Sequence, residues 1–210
     1  MLRLFFVRHA ESEANVLRVY SNTGWKHPLI ALGVVQANSL AKRLLPEGIN
    51  RIYSSPVMRA VQTSEILSTS LGVPFTVADA LREFDVGIYE GKPIEDGKIL
   101  RKEVETAWFT GQDYSCAMPG GESYLDIRAR FIPFINELVR SYRTSDASIV
   151  LVSHGGIYFS MLPEILANLT HPQMQKHSFI NTGYVLAELQ SDDSLKWVSW
   201  ETDAPSASTK

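Results

Sequence analysis

Three apolar runs in this chain each end in groups able to hold or attack an anion. Leu2–Val7 is followed by Arg8-His9, Ile49–Ser54 by Ser55-Pro56 with Arg59 one turn on, and Ile149–Val152 by Ser153-His154-Gly155-Gly156. Arginine offers a planar fork that matches phosphate oxygens, and imidazole can act as nucleophile, base or donor. Helix N-termini after Ser55 and Gly156 would add backbone N–H groups and a favourable dipole. Taken singly, each residue has an ordinary reading: Arg59 as a solvated helix residue, His154 as a loop histidine satisfied by backbone, Arg8 as a surface cation. Their shared placement carries more weight, because charge at the ends of strands buried on both faces needs a partner. Phosphate is the natural one.

The elements that must position these groups alternate in type. Leu2–Val7, Ile49–Ser54 and Ile149–Val152 are short continuous apolar runs, the pattern of strands buried on both faces. Between the first two, after a loop over Pro28–Gly33, Ala37, Leu40, Ala41, Leu44 and Leu45 recur at helical spacing over Val34–Leu45, and Pro46–Gly48 ends the segment. Ser55-Pro56 reads as an N-cap and first-turn proline launching a helix through Leu71, which Gly72 stops. Val73–Val77 suits a further strand, whereas Asp79–Gly111 has mixed charge and no long periodicity, which predicts loops and short helices folded over the site. After the turn Pro119-Gly120-Gly121, a stripe of Tyr124, Ile127, Phe131, Ile135, Leu138 and Tyr142 predicts a long helix, kinked at Pro133. The helical stretch after Gly156 is expected to break at Pro163. Tyr184–Leu189 and Leu195–Trp200 read as a closing hairpin around Ser191-Asp192-Asp193. Strands alternating with helices predict an α/β protein, a three-layer α/β/α sandwich with a mostly parallel central sheet, whose ligands bind at the carboxyl ends of the strands. The expected organisation is one domain over residues 1–200, with about 79–120 a lid-like insertion and 201–210 a mobile polar tail.

Composition narrows the function classes. A chain of 210 residues with formal net charge −3 has no broad positive field for nucleic acid, so none is expected as a partner. The single cysteine, Cys116, excludes an intrachain disulfide framework and fits a reducing compartment. The apolar stretch Leu4–Val7 is too short for a signal-peptide core, and no stretch approaches the ~20 apolar residues of a membrane span. A soluble, cytoplasmic protein is expected. His171 and His177 lack a clear ligand set, so neither a metal nor another cofactor is expected, and these two histidines read as surface or packing residues.

The same residues resemble a known family. LFFVRHAESEAN is similar to the R-H-G-E-[ST]-x-x-N signature of the histidine phosphatase superfamily, also called the phosphoglycerate mutase-like family. TGWKHPLIALGVVQA, IYSSPVMRAVQTSEIL, LREFDVGIYEG, MPGGES and VLVSHGG resemble its further segments in the expected order, so the likeness spans most of the chain. The resemblance implies a phosphatase of small phosphate esters in which His9 becomes phosphorylated, while Arg8, Arg59 and His154 bind phosphoryl oxygens and Glu83 donates a proton to the leaving alcohol. It further implies substrate contacts from Asn15, Thr23, Gly24 and Gly155. Such chemistry rests on charge stabilisation and alignment, and on an imidazole kept neutral by neighbouring cations.

Departures and alternatives bound this reading. Ala10 replaces the usual glycine, which would crowd the backbone if a positive φ were required there. His27 stands where many relatives carry aspartate, and Ile30 replaces a threonine that would cap the following helix, at a cost of about 1 kcal/mol. A bisphosphoglycerate-dependent mutase would share His9, Glu83 and the arginines, but no Arg-Arg pair lies between Glu90 and Gly120. A catalytically silent phosphate-binding module would have no chemical need for the full set. Trp108, Phe109 and Tyr114 are candidates for substrate contact or for lid core, and Lys92, Lys98, Arg101 and Lys102 for a second anionic group or for solvated surface. The association state is expected to be monomer or homodimer.

Overall fold

The fold starts from a strand whose two faces are both apolar. In β1 (Arg3–Arg8), Leu4, Phe5, Phe6 and Val7 are wholly buried, and their alternation sends Leu4 and Phe6 to one face and Phe5 and Val7 to the other. The computed structural model describes residues 1–201 and continues through α1 (Glu13–Leu17), α2 (Ala31–Leu44), β2 (Arg51–Ser54), α3 (Met58–Leu71), β3 (Phe75–Val77), α4 (Ile94–Thr106) and α5 (Tyr124–Tyr142). It closes with β4 (Ser148–Ser153), α6 (Gly155–Ile165), α7 (His171–Met174), β5 (Tyr184–Leu189) and β6 (Leu195–Glu201).

The strands form one six-stranded sheet in the order β3-β2-β4-β1-β5-β6. β3, β2, β4 and β1 run parallel, while β5 runs antiparallel to β1 and closes a hairpin with β6. One face packs on α2 and α3 through Phe5, Val7, Leu40, Leu44, Ile52, Ala60 and Leu67; the other packs on α5 and α6 through Phe6, Leu151, Ile127, Phe131, Tyr158 and Met161. Each such aliphatic or aromatic side chain contributes roughly 1.5–3 kcal/mol by leaving water, which is what holds the three layers together. The three-layer, mostly parallel architecture agrees with the sequence reading.

Register positions the functional ends. Arg8 lies opposite Ser153 and Ser54 opposite Val152, so β1, β4 and β2 end side by side. The segment entering β5 meets them there: Thr182 N–H donates to the Arg8 carbonyl, and Asn181 Nδ2 donates to the His9 carbonyl at 3.0 Å.

Several local expectations need correction. The helix after Ser55-Pro56 begins at Met58, with Val57 as its cap, because the Ser55 hydroxyl is already engaged with His154 Nε2 at 2.7 Å and Val57 N–H at 3.2 Å. Pro163 does not break α6, which continues to Ile165. Asp79–Gly111 holds more regular structure than its pattern predicts: α4 runs 13 residues and continues into a π turn over Ala107–Gly111. Its buried contact is narrow and includes Gly97, where a Cβ would stand 2.8 Å from the Tyr89 ring and 3.1 Å from the Tyr20 ring. A glycine that lets two aromatics approach carries no hydrophobic signal in the sequence. Trp108 is buried and donates to the Cys116 carbonyl at 2.7 Å, and Phe109 packs against Trp108 and Tyr124, so these two belong to the core, whereas Tyr114 lies over Tyr124 and is exposed. Glu201 belongs to β6 and pairs with Arg43 at 3.4 Å; the rest of the expected mobile tail, 202–210, lies outside the described residues. Among the described residues no helix is long and apolar enough to cross a membrane.

Candidate active site

A cavity of about 240 Å³ opens where β1, β2 and β4 end, walled by Arg8, His9, Asn15, Arg59, Glu83 and Gly155 together with Tyr20 and Arg101. Six of the expected site residues are therefore brought together. His154 is buried and stands outside this wall, 3.0 Å from Arg59 Nη2 and with its ring centre 5.1 Å from that of His9. Thr23 and Gly24 are not part of this wall: they lie exposed on the following turn, while Ser21 and Asn22 line the cavity in their place.

His9 leaves the end of β1 and is 3% exposed. Its Nδ1 lies 2.7 Å from the Ala10 carbonyl, which can only accept, so Nδ1 carries the proton and Nε2 keeps its lone pair. Arg59 Nε donates to that lone pair at 2.9 Å. Burial, then Arg59, then Arg8, hold the imidazole well below its ordinary pKa, so it is neutral across the physiological range. Ala10 is tolerated because its φ is not positive, and its N–H donates to Thr63 Oγ1 at 3.1 Å.

Arg59, fixed in the first turn of α3, reaches three groups: His9, the Ser21 carbonyl, and His154 Nδ1 at 3.0 Å. A guanidinium has no acceptor, so His154 Nδ1 receives and its Nε2–H donates to Ser55 Oγ. His154 is likewise held well below its ordinary pKa, by burial first and then by Arg59. Burial lowers the pKa of Arg59 itself to about 10, with Glu83 opposing, so it stays charged at neutral pH. Arg8 donates to the Phe179 carbonyl, while its Nε is buried without a partner. Asn15 Oδ1 takes the Ser12 N–H at 3.0 Å and the Ser12 hydroxyl at 3.1 Å, which leaves the Asn15 amide hydrogens as donors.

Glu83 is held from two sides. Its Oε1 accepts the Phe84 N–H at 3.1 Å and its Oε2 accepts the Gly156 N–H at 2.9 Å, at the start of α6. Glycine at 156 permits this close approach, since a Cβ would stand 2.7 Å from the Phe84 ring and 2.8–2.9 Å from the Glu83 carboxylate oxygens, and those side chains would have to shift. The backbone around Glu83 is clamped from α5: Arg130 donates to the Ala80 carbonyl at 2.8 Å and the Arg82 carbonyl at 3.0 Å, and pairs with Glu122 through two bonds at 2.9 and 3.0 Å.

The sequence reading missed Tyr20, Ser21, Asn22, Glu90, Arg130 and Asn181. Glu90 accepts the Asn22 N–H at 2.9 Å and so shapes the turn that carries Thr23 and Gly24; Asn22 Nδ2 donates to the Phe84 carbonyl at 2.8 Å. His27 Nδ1 meets Ser21 Oγ at 2.8 Å, and Ile30, as expected, caps α2 with no side-chain bond. Carbonyl acceptors and second-layer ion pairs leave no distinctive spacing by which they could have been found.

Fold and site together define an α/β protein with a buried neutral imidazole set between two arginines at the strand ends, a cradle for a tetrahedral oxyanion. Residues 4–203 match the histidine phosphatase superfamily (branch 1), and the chain belongs to that family. It is 33% identical over 156 residues to the putative phosphoserine phosphatase 2 of Hydrogenobacter thermophilus, covering 74% of each chain. Over 173 residues it is 27% identical to the probable phosphoglycerate mutase GpmB of Yersinia pestis, covering 82% of this chain and 79% of that one. Among solved structures, a mycobacterial glucosyl-3-phosphoglycerate phosphatase complexed with VO3 matches with TM-score 0.80 and 26% identity, covering 96% of this chain and 99% of that one.

Proposed function

We propose that this protein is a phosphatase that hydrolyses a small phosphomonoester through a phosphohistidine on His9. The observation that carries the reading is the His9 tautomer: a buried imidazole, kept neutral, with its Nε2 lone pair on the cavity side and two guanidinium groups beside it. Nε2 attacks phosphorus as the ester P–O bond breaks, and Glu83 supplies the proton that lets the alcohol leave neutral. The charge gained by the imidazole is stabilised through Nδ1–H on the Ala10 carbonyl. Arg8, Arg59 and the Asn15 amide hold the non-bridging oxygens, with His154 orienting the Arg59 guanidinium through its Nδ1, and positioning and electrostatics supply most of the acceleration. Water then attacks the phosphohistidine, the P–N bond breaks, and Glu83 takes the water proton. Asn181 and Ala10 fix the His9 backbone on either side. Small-ester specificity agrees with the size of the cavity, about 240 Å³. The relatives' names support both phosphatase and mutase chemistry, and the scarcity of cations over Glu90–Gly120 that face the cavity favours release to water.

The test is release of inorganic phosphate from an aryl phosphate and a panel of esters in the presence of a chelator, for wild type and His9→Ala. Turnover by wild type that is lost in the variant is expected. Glu83→Gln should slow alkyl esters far more than aryl phosphate, whose leaving group needs less help from an acid. Conversion of 3-phosphoglycerate to 2-phosphoglycerate with a bisphosphoglycerate primer, and no phosphate release, would favour the mutase; silence in both assays would favour a binding module.

A further inference from the structure

A second cavity of about 280 Å³ adjoins the first, walled by Arg101, Glu105, Gly155, Gly156, Phe159 and Phe179. Arg101 and the glycine pair belong to both walls. Arg101 stands beside Glu83: its Cζ lies 4.9 Å over the ring of Phe84, whose backbone N–H binds the Glu83 carboxylate. This is the side on which the leaving alcohol departs. Glu105 occupies only one edge of the guanidinium, accepting from Nε at 2.8 Å, and no terminal nitrogen of Arg101 has a hydrogen-bond partner among the described residues. Burial pulls the guanidinium pKa down, but Glu105 and Glu83 outweigh it, so Arg101 remains charged. Beside it, Tyr20 is 2% exposed and lines the first cavity, and its hydroxyl, close to the Arg101 guanidinium, is buried with no hydrogen bond of ordinary length among the described residues. A buried, unpaired hydroxyl costs about 1–3 kcal/mol, and it persists where a ligand satisfies it.

Resting on the phosphatase reading above, we propose that Arg101 and Tyr20 form the leaving-group subsite and select phosphate esters whose alcohol carries a carboxylate. The free edge of a guanidinium matches a carboxylate through two parallel bonds, and the phenol supplies one further donor. The charge inventory excludes a second phosphate as the preferred group. The phosphoryl cradle has two arginines, whereas this subsite has one, already half-balanced by Glu105, which suits a monoanion.

The experiment compares kcat/KM for two matched pairs that differ in that group: 3-phosphoglycerate against glycerol 3-phosphate, and O-phosphoserine against O-phosphoethanolamine. Wild type should prefer the carboxylate member of each pair by about 10- to 100-fold, the size of charge-assisted hydrogen bonds in a partly buried site. Arg101→Gln should bring the ratio toward one, chiefly through KM, and Tyr20→Phe should reduce it by several-fold. Lys98→Gln, an exposed change on the same helix, should leave the ratio unaltered. If wild type hydrolyses an aryl phosphate in a His9-dependent way but treats both members of each pair alike, or if Arg101→Gln keeps the preference, the subsite assignment is overturned while the phosphatase reading stands. Failure to release phosphate from any ester overturns the reading on which it rests.

Discussion

Acidification should destabilise this fold by an amount that can be assigned to His9. His9 and His154 are 3% and 1% exposed, and both are held neutral well below their ordinary pKa, by burial first and by Arg59 next. In the unfolded chain each titrates near ~6.5. Above that pH neither state carries the proton and stability is complete. Below it the unfolded chain binds two protons that the folded chain refuses, so stability falls with pH until the depressed folded values are reached. Each such proton contributes about 1.36 kcal/mol per pH unit, so the pair contributes roughly 2.7 kcal/mol per unit once the unfolded imidazoles are fully protonated. The assay is urea unfolding at fixed ionic strength from about pH 7.5 to 5 for wild type and His9→Gln. Carboxylates, His154 and half-buried His171 titrate in both proteins, so the difference isolates His9. The variant should lose stability about 1.4 kcal/mol per unit less steeply below ~6. Equal slopes would mean that folded His9 accepts a proton as readily as the unfolded residue does, and the neutral nucleophile would have to be abandoned.

Other perturbations follow from single contacts. Arg130→Met removes two charge-assisted bonds from Glu122 in a pair whose side chains are each 12% exposed, while Arg82 still pairs with that carboxylate, and should cost about 1.5–3 kcal/mol in thermal or urea unfolding. It also frees the carbonyls of Ala80 and Arg82, so kcat should fall as well, because Glu83 loses its clamp. Gly156→Ala places a methyl 2.8–2.9 Å from the Glu83 oxygens; the side chain can move, so the protein should fold while kcat for alkyl esters drops by about 10- to 100-fold. Arg59→Lys retains the charge but not the fork, and one ammonium cannot serve two imidazoles whose ring centres are 5.1 Å apart. Phosphate release should fall at least ~100-fold, and near-wild-type kcat/KM would show that charge alone is sufficient.

What was legible in the sequence divides along a physical line. Strands buried on both faces announce themselves as unbroken apolar runs, so β1, β2 and β4 were found, and with them the point where Arg8, His9, Arg59 and His154 meet. The long stripe of α5 was equally plain. α4 was not, because its contact runs through Gly97 and little else, and charged residues crowd the remainder of its surface. Ser55 looked like a helix cap because serine before proline usually is one; the competing acceptor role toward His154 depends on a residue 99 positions away. Tyr20 is hidden for the same reason, and Arg101, though one of four candidate cations for a second anionic group, could not be told from Lys92, Lys98 and Lys102. One lies in a loop and the other on a helix, and only the close approach permitted by Gly97 makes them neighbours of the cavity.

On the proposed mechanism the geometry also ties His9 to the anion it would attack. Arg59 directs Nε–H at His9 and Nη2–H at His154, so one guanidinium covers the lone pairs of both imidazoles. A neutral imidazole nitrogen is a weaker acceptor for a guanidinium than a charged phosphoryl oxygen. A phosphate ester entering the cavity would therefore compete for the same donors, and whatever it drew away from His9 would uncover the electron pair proposed to attack it. Burial contributes from the other direction: by keeping both rings neutral it leaves the positive charge beside them to Arg8 and Arg59, and two positive charges match one phosphoryl dianion. A histidine outside this pair of guanidinium groups would be protonated more readily and covered by nothing that a phosphate could displace. On that reading the spacing of Arg8, His9 and Arg59 is a single device, in which binding the substrate and exposing the nucleophile would be the same event.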